Sequence, residues 1–211
     1  VTVAATFAPY QYKQTLKYRL QNADGTYGSY VTEINNVDYA YGSTISFTRA
    51  ADDTYQAVNY SATVTEAKTH TIDVNRKTFS VTVTNDGNGT ASASKTANVR
   101  VGESVTLTAT PNTGYKFKAW VTTTATITNN AFTMPSNNVT IQATFEKRGY
   151  TLTLAVNNAN YGTLTSSPAA GTVVYQTAVT LTATPKTGYH FESWTKGPTS
   201  LATTAGAFTM P

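Results

Sequence analysis

Residues 106–120 read TLTATPNTGYKFKAW, and residues 180–194 read TLTATPKTGYHFESW. The two copies differ at only four positions, while every threonine, the proline, the glycine and the three aromatic residues return. Self-similarity at a long fixed period is typical of an array of modules. A reactive site would not be copied with its polar groups exchanged, so we predict that the repeated residues maintain packing.

The match extends outward from both copies. The sequence AFTMP occurs at 131–135 and again at 207–211, and the first copy continues into the alternating segment Val139–Phe145. Val1–Phe7 has the same alternation and the same Ala-Thr-Phe ending. We therefore expect four parts: residues 1–9, the closing strand of a preceding repeat; residues 10–77, the first module; residues 78–147, repeat 1; and residues 148–211, repeat 2, which is truncated.

Alternation of apolar and hydroxyl side chains dominates the chain. Val105, Leu107 and Ala109, for example, are separated by single threonines. This period of two predicts strands with one apolar face and one hydroxyl-rich face. The sequence thus predicts a mainly β protein made of tandem small β-rich modules, with at most a short helix near residues 52–58 of the first module.

Each copied phrase contains the same frame of turn and core residues. A proline and a glycine bracket a turn into a strand of the form Tyr-x-Phe-x-x-Trp, whose bulky aromatic side chains supply most of the burial in a small domain. We interpret this frame as structural. Its members are Pro111, Gly114, Tyr115, Phe117 and Trp120 in repeat 1, and Pro185, Gly188, Tyr189, Phe191 and Trp194 in repeat 2.

Composition excludes several function classes. The chain has 211 residues and no cysteine, which excludes disulfides, zinc–thiolate sites and thiol nucleophiles. No apolar run is long enough to span a bilayer. The net charge is +4, but the basic residues are scattered, and the only adjacent pairs, Arg76-Lys77 and Lys147-Arg148, fall at predicted module junctions. A nucleic-acid surface normally clusters its charge, so we expect no nucleic-acid partner.

Candidate catalytic and metal sites are weak. The turn Asn85–Gly89 resembles a calcium loop but has a single acid, and we favour a plain turn. His70 and His190 are far apart in sequence, and alternation places His190 on the solvent side of its strand. The adjacent Asp52-Asp53 would point apart on an extended backbone, which argues against a glycosidase pair. We expect no metal, no cofactor and no enzymatic activity.

Tyrosine is abundant, at 14 residues, and most tyrosines lie in the first module. Exposed tyrosines stack on sugar rings or anchor protein partners. The candidate ligand-binding residues are Tyr27, Tyr30, Tyr39 and Tyr41. The alternative is that half of the tyrosines fill a small core and the rest lie on amphipathic strands.

The frame from Val105 through Trp120 to Phe132–Pro135 and Val139–Phe145 resembles the divergent internalin-type B-repeat, also called the Listeria–Bacteroides repeat. Residues 10–77, with Lys17–Tyr27 and the closing Val74–Phe79, are similar to the mucin-binding-type modules that alternate with such repeats. The resemblance implies β-grasp-like folds or small sandwiches, and a non-enzymatic stalk or adhesive role on a secreted bacterial surface protein. Its implied partners are a host glycan or a surface protein.

The two ends of the chain suggest a further contact. Repeat 2 has no counterpart of Val139–Phe145 in this sequence, and Val1–Phe7 is a spare segment of that kind. We expect end-to-end self-association through the Val1–Phe7 strand, since an unpaired strand edge readily accepts a strand from another chain.

Overall fold

The computed structural model describes residues 1–196, 199–200 and 206–210. The described residues form strands and no helix, which confirms the prediction of a mainly β protein with several small sheets. The strands are β1 (Gln11–Leu20), β2 (Val31–Ala40), β3 (Thr44–Arg49), β4 (Val58–Thr63), β5 (Lys68–Val74), β6 (Thr78–Phe79), β7 (Val81–Asn85), β8 (Gly89–Ala93), β9 (Val99–Arg100), β10 (Ser104–Pro111), β11 (Tyr115–Val121), β12 (Ala131–Thr133), β13 (Val139–Lys147), β14 (Gly149–Leu152), β15 (Gly162–Ser167), β16 (Gly171–Val174), β17 (Ala178–Pro185), β18 (Thr195–Lys196), β19 (Thr199–Ser200) and β20 (Ala207–Thr209).

The chain divides into two compact units. Unit 1 comprises Val1–Thr84, Ser92–Thr108 and Thr122–Ile141, and unit 2 comprises Asn85–Ala91, Ala109–Val121 and Gln142–Pro211. The boundary between the units therefore falls within repeat 1. Across the part of the chain that the structure describes, no helix has the length and apolar character needed to cross a membrane.

The first module is built around β1 as the central strand of a three-stranded sheet. β1 pairs antiparallel with β2 and parallel with β5, and β3 forms a separate antiparallel pair with β4. The core consists of Leu16, Ile45, Val64 and Ile72, one from each of β1, β3 and β5 and one from the turn after β4. Alternation along β5 buries every second side chain, as a half-buried strand requires.

The short helix considered near residues 52–58 is not formed. The Asp52 carboxylate accepts hydrogen bonds from the backbone N–H groups of Thr54 and Tyr55, at 2.8 and 2.6 Å, which closes an Asx-type turn. The backbone N–H of Gln56 donates to Asn75 O instead of continuing a helix, and β4 begins at Val58. Competition from long-range pairing thus ends the turn before a helix begins.

Repeat 1 follows the alternation predicted from its sequence. In unit 1, β6 pairs with β9, and β10 pairs with β12 through Val105 and Phe132, both buried. In unit 2, β11 pairs antiparallel with β13, with Phe117 opposite Phe145. β13 buries every second side chain from Val139 to Phe145.

Repeat 2 reproduces only part of this arrangement. β14 pairs with β16, β15 and β20 flank β17, and β18 pairs with β19. The core contains Val173, Val179, Leu181 and Met210. However, residues 154–158 and 189–194, which correspond to β7 and β11 of repeat 1, contain no strand. The same aromatic phrase is therefore a strand in one repeat and not in the other.

Residues 1–9 lie outside every sheet, and their side chains are exposed. Val1, Val3 and Phe7 are among the most exposed large apolar residues of the described chain. No strand among the described residues pairs with this segment, so its assignment as the closing strand of a preceding repeat stays a prediction.

Candidate functional site

The four candidate tyrosines lie near the two opposite ends of β1. Tyr27 and Tyr30 follow the end of β1 at Leu20, whereas Tyr39 pairs with Tyr12 near its beginning. A strand of this length spans about 30 Å. The structure therefore forms two separate tyrosine pairs rather than one four-residue site.

Tyr27 and Tyr30 both contact the guanidinium group of Arg19. The Cζ atom of Arg19 lies 4.5 Å from the centroid of the Tyr27 ring and 4.9 Å from that of Tyr30. Arg19 also donates to both carboxylate oxygens of Asp73, at 2.6 and 3.1 Å, and Tyr27 Oη donates to Asn75 Oδ1. We name these five residues the Arg19 platform.

The electrostatics of the Arg19 platform follow from this bidentate pair. The hydrogen bond from Arg19 lowers the pKa of Asp73, and the same bond raises the pKa of Arg19. The pairing is brought about by the parallel register of β1 and β5, which places Arg19 directly opposite Asp73. Tyr30 keeps 42% of its surface exposed. The platform thus presents an aromatic face beside a fixed guanidinium–carboxylate pair.

Tyr39 and Tyr41 have different environments. Tyr39 is half-buried and packs against the core of the first module. Tyr41 is 57% exposed, and its ring centroid lies 6.5 Å from that of Tyr12. Tyr39 therefore stabilises the fold, and Tyr41 is an exposed ring beside Tyr12.

The structural frame of repeat 1 forms a turn and a packed aromatic group. Pro111 ends β10, Gly114 has a φ of 81°, and Tyr115 N donates to Asn112 O. The Phe117 ring lies against Trp120 and Phe145, with centroid distances of 5.2 and 6.0 Å. A positive φ is unfavourable for residues that carry a Cβ, which explains the glycine.

The frame of repeat 2 forms the same turn with a more exposed aromatic group. Pro185 ends β17 and Gly188 has a φ of 89°. Phe191 packs on Trp194, with a centroid distance of 4.6 Å, and Tyr189 stacks on Tyr161 at 4.4 Å. Tyr189 and Phe191 nevertheless stay 49% and 43% exposed. The turn therefore has the same geometry in both repeats, whereas the aromatic side chains that follow it are more exposed in repeat 2.

The turn Asn85–Gly89 uses its single acid for structure. The Asp86 carboxylate accepts hydrogen bonds from Phe145 N at 2.8 Å and from Asn88 N at 3.0 Å. The bond from Phe145 is the main cause of the lowered pKa of Asp86. Among the described residues, no group of three or more His, Asp or Glu side chains is arranged to hold a metal ion.

Two of the groups considered for catalysis, Asp52 and His70, are held by structural hydrogen bonds. The hydrogen bond from Tyr55 N, the bond from the Arg49 side chain and the bond from Thr54 N lower the pKa of Asp52 to about 2. His70 is buried between Tyr60 Oη, which contacts Nδ1, and Gln14 Oε1, which lies 2.9 Å from Nε2. Burial lowers the pKa of His70. His190 is exposed, but it lies in a segment that contains no strand, so its predicted place on the solvent side of a strand stays a prediction.

The predicted junction between the first module and repeat 1 is closed by Arg76. Arg76 Nε donates to Gln21 O at 2.8 Å, and Nη1 donates to Val101 O at 2.7 Å. A Cβ placed on Gly102 would lie 2.9 Å from Arg76 Nη1, so the glycine makes room for the guanidinium group. We name this contact joint 1, and it lies entirely within unit 1.

The predicted junction between the two repeats is closed in a similar way by Arg148 and Tyr175. Arg148 N donates to Gly114 O, Arg148 Nε donates to Tyr115 O, and Tyr175 N donates to Arg148 O, each at 2.8 Å. A Cβ on Gly114 would lie 2.3 Å from the Tyr175 ring. The rings of Tyr115 and Tyr175 meet edge to face, with centroids 5.8 Å apart. We name this contact joint 2, and it lies entirely within unit 2.

Sequence reasoning misses the roles of Arg19, Arg76 and Arg148. The two basic pairs stand at the predicted junctions, and this position is the signal that could identify the joints. No local pattern marks Arg19, because its partner Asp73 is 54 residues away in sequence.

A family model described as divergent InlB B-repeat domain matches residues 79–149 and 152–211, which together make up more than half of the chain. No curated protein matches the chain at a significant level.

Proposed function

The chain belongs to the divergent InlB B-repeat family, and from this we propose that it is a non-catalytic repeat segment of a bacterial cell-surface protein, acting as a stalk or adhesion module. Repeats of this family are typical of bacterial cell-surface proteins, which supports a secreted, surface-exposed location. Of the two acids considered as a glycosidase pair, Asp52 accepts hydrogen bonds from the backbone of its own turn, which supports a non-catalytic role.

The observation that carries the stalk proposal is that the connections are short and held by hydrogen bonds. Three residues link β5 to β6, and each is bonded: Arg76 N donates to Gln21 Oε1, Lys77 N donates to Thr54 O, and Asn75 O accepts from Gln56 N. One residue, Arg148, links β13 to β14 and is bonded on both sides. Flexible linkers let neighbouring modules change their relative orientation, whereas connections held by hydrogen bonds restrict that change, as a stalk requires.

Spin-label distances across joint 1 test the stalk proposal. The chain has no cysteine, so cysteines at exposed Ser61 and Ala97 can be labelled without further changes. We expect a narrow distance distribution in the full chain, and a broader one when Arg76→Ala removes the side-chain bonds to Gln21 O and Val101 O. A control pair within the first module, at Ser61 and Thr32, should not respond to Arg76→Ala. A broad distribution across joint 1 in the unmodified chain would contradict the stalk role.

A second candidate function is ligand binding by the first module. The supporting observation is the Arg19 platform, where exposed Tyr30 lies beside an arginine whose orientation is fixed by Asp73. We propose that this surface contacts a host glycan or a host surface protein, in line with the resemblance of residues 10–77 to mucin-binding-type modules. Tyr41 is the less favoured alternative contact.

Binding of the full chain to a glycan array tests the second candidate. Tyr30→Ala should abolish any saturable signal, while Tyr161→Ala, which removes a comparably exposed tyrosine from repeat 2, should leave it unchanged. Equal loss in both variants, or no saturable signal at all, would leave the stalk role standing without glycan binding.

A second copy of the chain, bound through Val1–Phe7, is a further proposed partner.

A further inference from the structure

The first and last strands of the first module, β1 and β5, lie side by side and run in the same direction. Their pairing begins with Gln14 opposite Lys68, ends with Leu20 opposite Val74, and contains no register shift. On its other edge, β1 pairs with β2 through a register that shifts twice. The parallel ladder is therefore the more regular of these two pairings, and the hydrogen bonds of a parallel ladder are evenly spaced along the strands.

The chain enters and leaves this ladder at opposite ends. The residues that precede β1 lie at the end where β5 begins, at Lys68, whereas the residues that follow β5 continue from Val74, beside Leu20. Tension along the chain would therefore pull β1 and β5 in opposite directions along their length. Because ladder bonds join neighbouring strands crosswise, such sliding loads them together, whereas peeling from one end loads them one after another.

Side-chain bonds join the two strands near the end where β1 begins. The Gln14 side chain is 1% exposed, and its Nε2 donates to Glu66 O at 2.6 Å. Its Oε1 lies 2.9 Å from Nε2 of His70, on β5. Both polar atoms of one buried amide are thus bonded to β5 or to the turn just before it. Displacement of β1 along β5 would leave these buried groups without partners, which is costly.

A second set of bonds joins the strands at the end where the chain leaves β5. Arg19 on β1 donates to both carboxylate oxygens of Asp73 on β5, at 2.6 and 3.1 Å. Just beyond the ladder, Gln21 N donates to Val74 O at 3.0 Å, and Arg76 Nε donates to Gln21 O at 2.8 Å. Bidentate, charge-assisted bonds are among the strongest hydrogen bonds in proteins. The end of β5 that tension would pull is therefore joined to β1 by both backbone and side-chain bonds.

We propose that the first module bears mechanical tension, and that the β1–β5 ladder with its side-chain bonds is the clamp that resists extension. The inference rests on the proposed stalk role for the source of the tension. The clamp itself is a property of the first module, which lies entirely within unit 1. Forced unfolding is governed by the rate of unfolding, so the clamp is measured by the force at which this module unfolds.

Optical-tweezers measurements on the full chain in two pulling directions test the proposal. The chain has no cysteine, so DNA handles can be attached at pairs of introduced cysteines. Tyr10→Cys with Thr78→Cys slides β1 along β5, whereas Tyr10→Cys with Ala67→Cys peels β1 away from the beginning of β5; all three positions are exposed. We expect a severalfold higher unfolding force in the sliding direction at the same loading rate. Equal forces in the two directions would overturn the clamp, even where the spin-label distances across joint 1 support a stalk.

Removal of the Arg19–Asp73 pair tests the side-chain bonds. Asp73→Ala should lower the sliding force and leave the peeling force unchanged, because this pair lies far from the end where peeling begins. Asp38→Ala is the matched control, since it removes the ion pair with Lys13, which joins β1 to β2 instead of β5. This control should leave the sliding force unchanged. Equal losses in the two variants, or no loss in Asp73→Ala, would refute the role of the side-chain bonds in the clamp.

Discussion

Replacement of Gly114 by alanine should destabilise repeat 1 much more than the matching replacement of Gly188 destabilises repeat 2. Both glycines stand in the same copied phrase and have similar positive φ angles, 81° and 89°. Their surroundings differ, because Tyr175 covers Gly114, whereas among the described residues no atom beyond the chain neighbours lies within 4 Å of a Cβ built on Gly188. The pair therefore separates backbone strain from the contact made at joint 2.

The expected magnitudes follow from these two terms. An L-residue in left-handed backbone costs about 1–2 kcal/mol, and this is the whole expected effect of Gly188→Ala. In Gly114→Ala the Tyr175 ring must also move away, since a Cβ would lie 2.3 Å from it. The lost edge-to-face contact with Tyr115 adds about 0.5–1.5 kcal/mol. Partial loss of ring burial adds roughly 1 kcal/mol. We expect a total of about 2.5–4.5 kcal/mol for Gly114→Ala.

Urea unfolding followed by tryptophan fluorescence measures these values. Trp120 and Trp194 are the only tryptophans of the chain, one in each repeat, so a Trp→Phe background isolates the signal of each repeat. The decisive comparison is Gly114→Ala in a Tyr175→Ala background. Its effect should fall to that of Gly188→Ala, which corresponds to a coupling energy of about 1.5–2.5 kcal/mol between the two positions. An unchanged effect in that background would refute the role of Tyr175.

Three further outcomes are expected from the structure. Burial lowers the pKa of His70 below its unfolded value of 6.5, so the unfolded chain binds the proton first as the pH falls. The free energy of unfolding should therefore decrease as the pH falls below about 6.5. Urea titrations at several pH values check this, and a His70→Gln variant should lose the pH dependence. Phe145→Ala should lower the free energy of unfolding by about 3–5 kcal/mol. Phe191→Ala should lower it clearly less, because that side chain is 43% exposed. Chemical unfolding of both variants compares them, and equal losses would contradict the difference in packing. Because the pKa of Asp52 is lowered to about 2, the contribution of this carboxylate to stability is present above pH 3.8 and is lost as the pH falls towards 2. Asp52→Asn should therefore weaken the dependence of stability on pH in this window. Thermal melts at acidic pH check this.

Much of the fold was predictable from local pattern. Period-two alternation identified β10 and β13, and the Pro–Gly frame identified the turn that contains Gly114 in repeat 1 and Gly188 in repeat 2. The same alternation along β5 puts His70 on one face with Ile72 and Val74 and was a usable signal for its burial. The helix considered near residue 52 was not formed, because the Asp52 side chain and the pairing of Gln56 with Asn75 took the backbone groups that a helix would use.

The candidate site was predictable only in part. Abundant tyrosine directed attention to the first module, and Tyr30 is indeed exposed beside charged groups. Tyr39, by contrast, packs on the core. The residues that organise the Arg19 platform could not be identified from sequence, since the parallel register of β1 with β5 joins residues that no local periodicity connects.

The sequence by itself determined that this protein is a series of small β modules, because strand periodicity and turn chemistry depend on neighbours along the chain. Only the tertiary structure decided what each copy of the aromatic phrase becomes. Tyr115–Trp120 is a strand because β13 lies beside it, and Tyr189–Trp194 is not, although their local sequences are nearly the same. A β-strand satisfies its backbone hydrogen bonds with another strand, so the partner, not the phrase, determines the final structure.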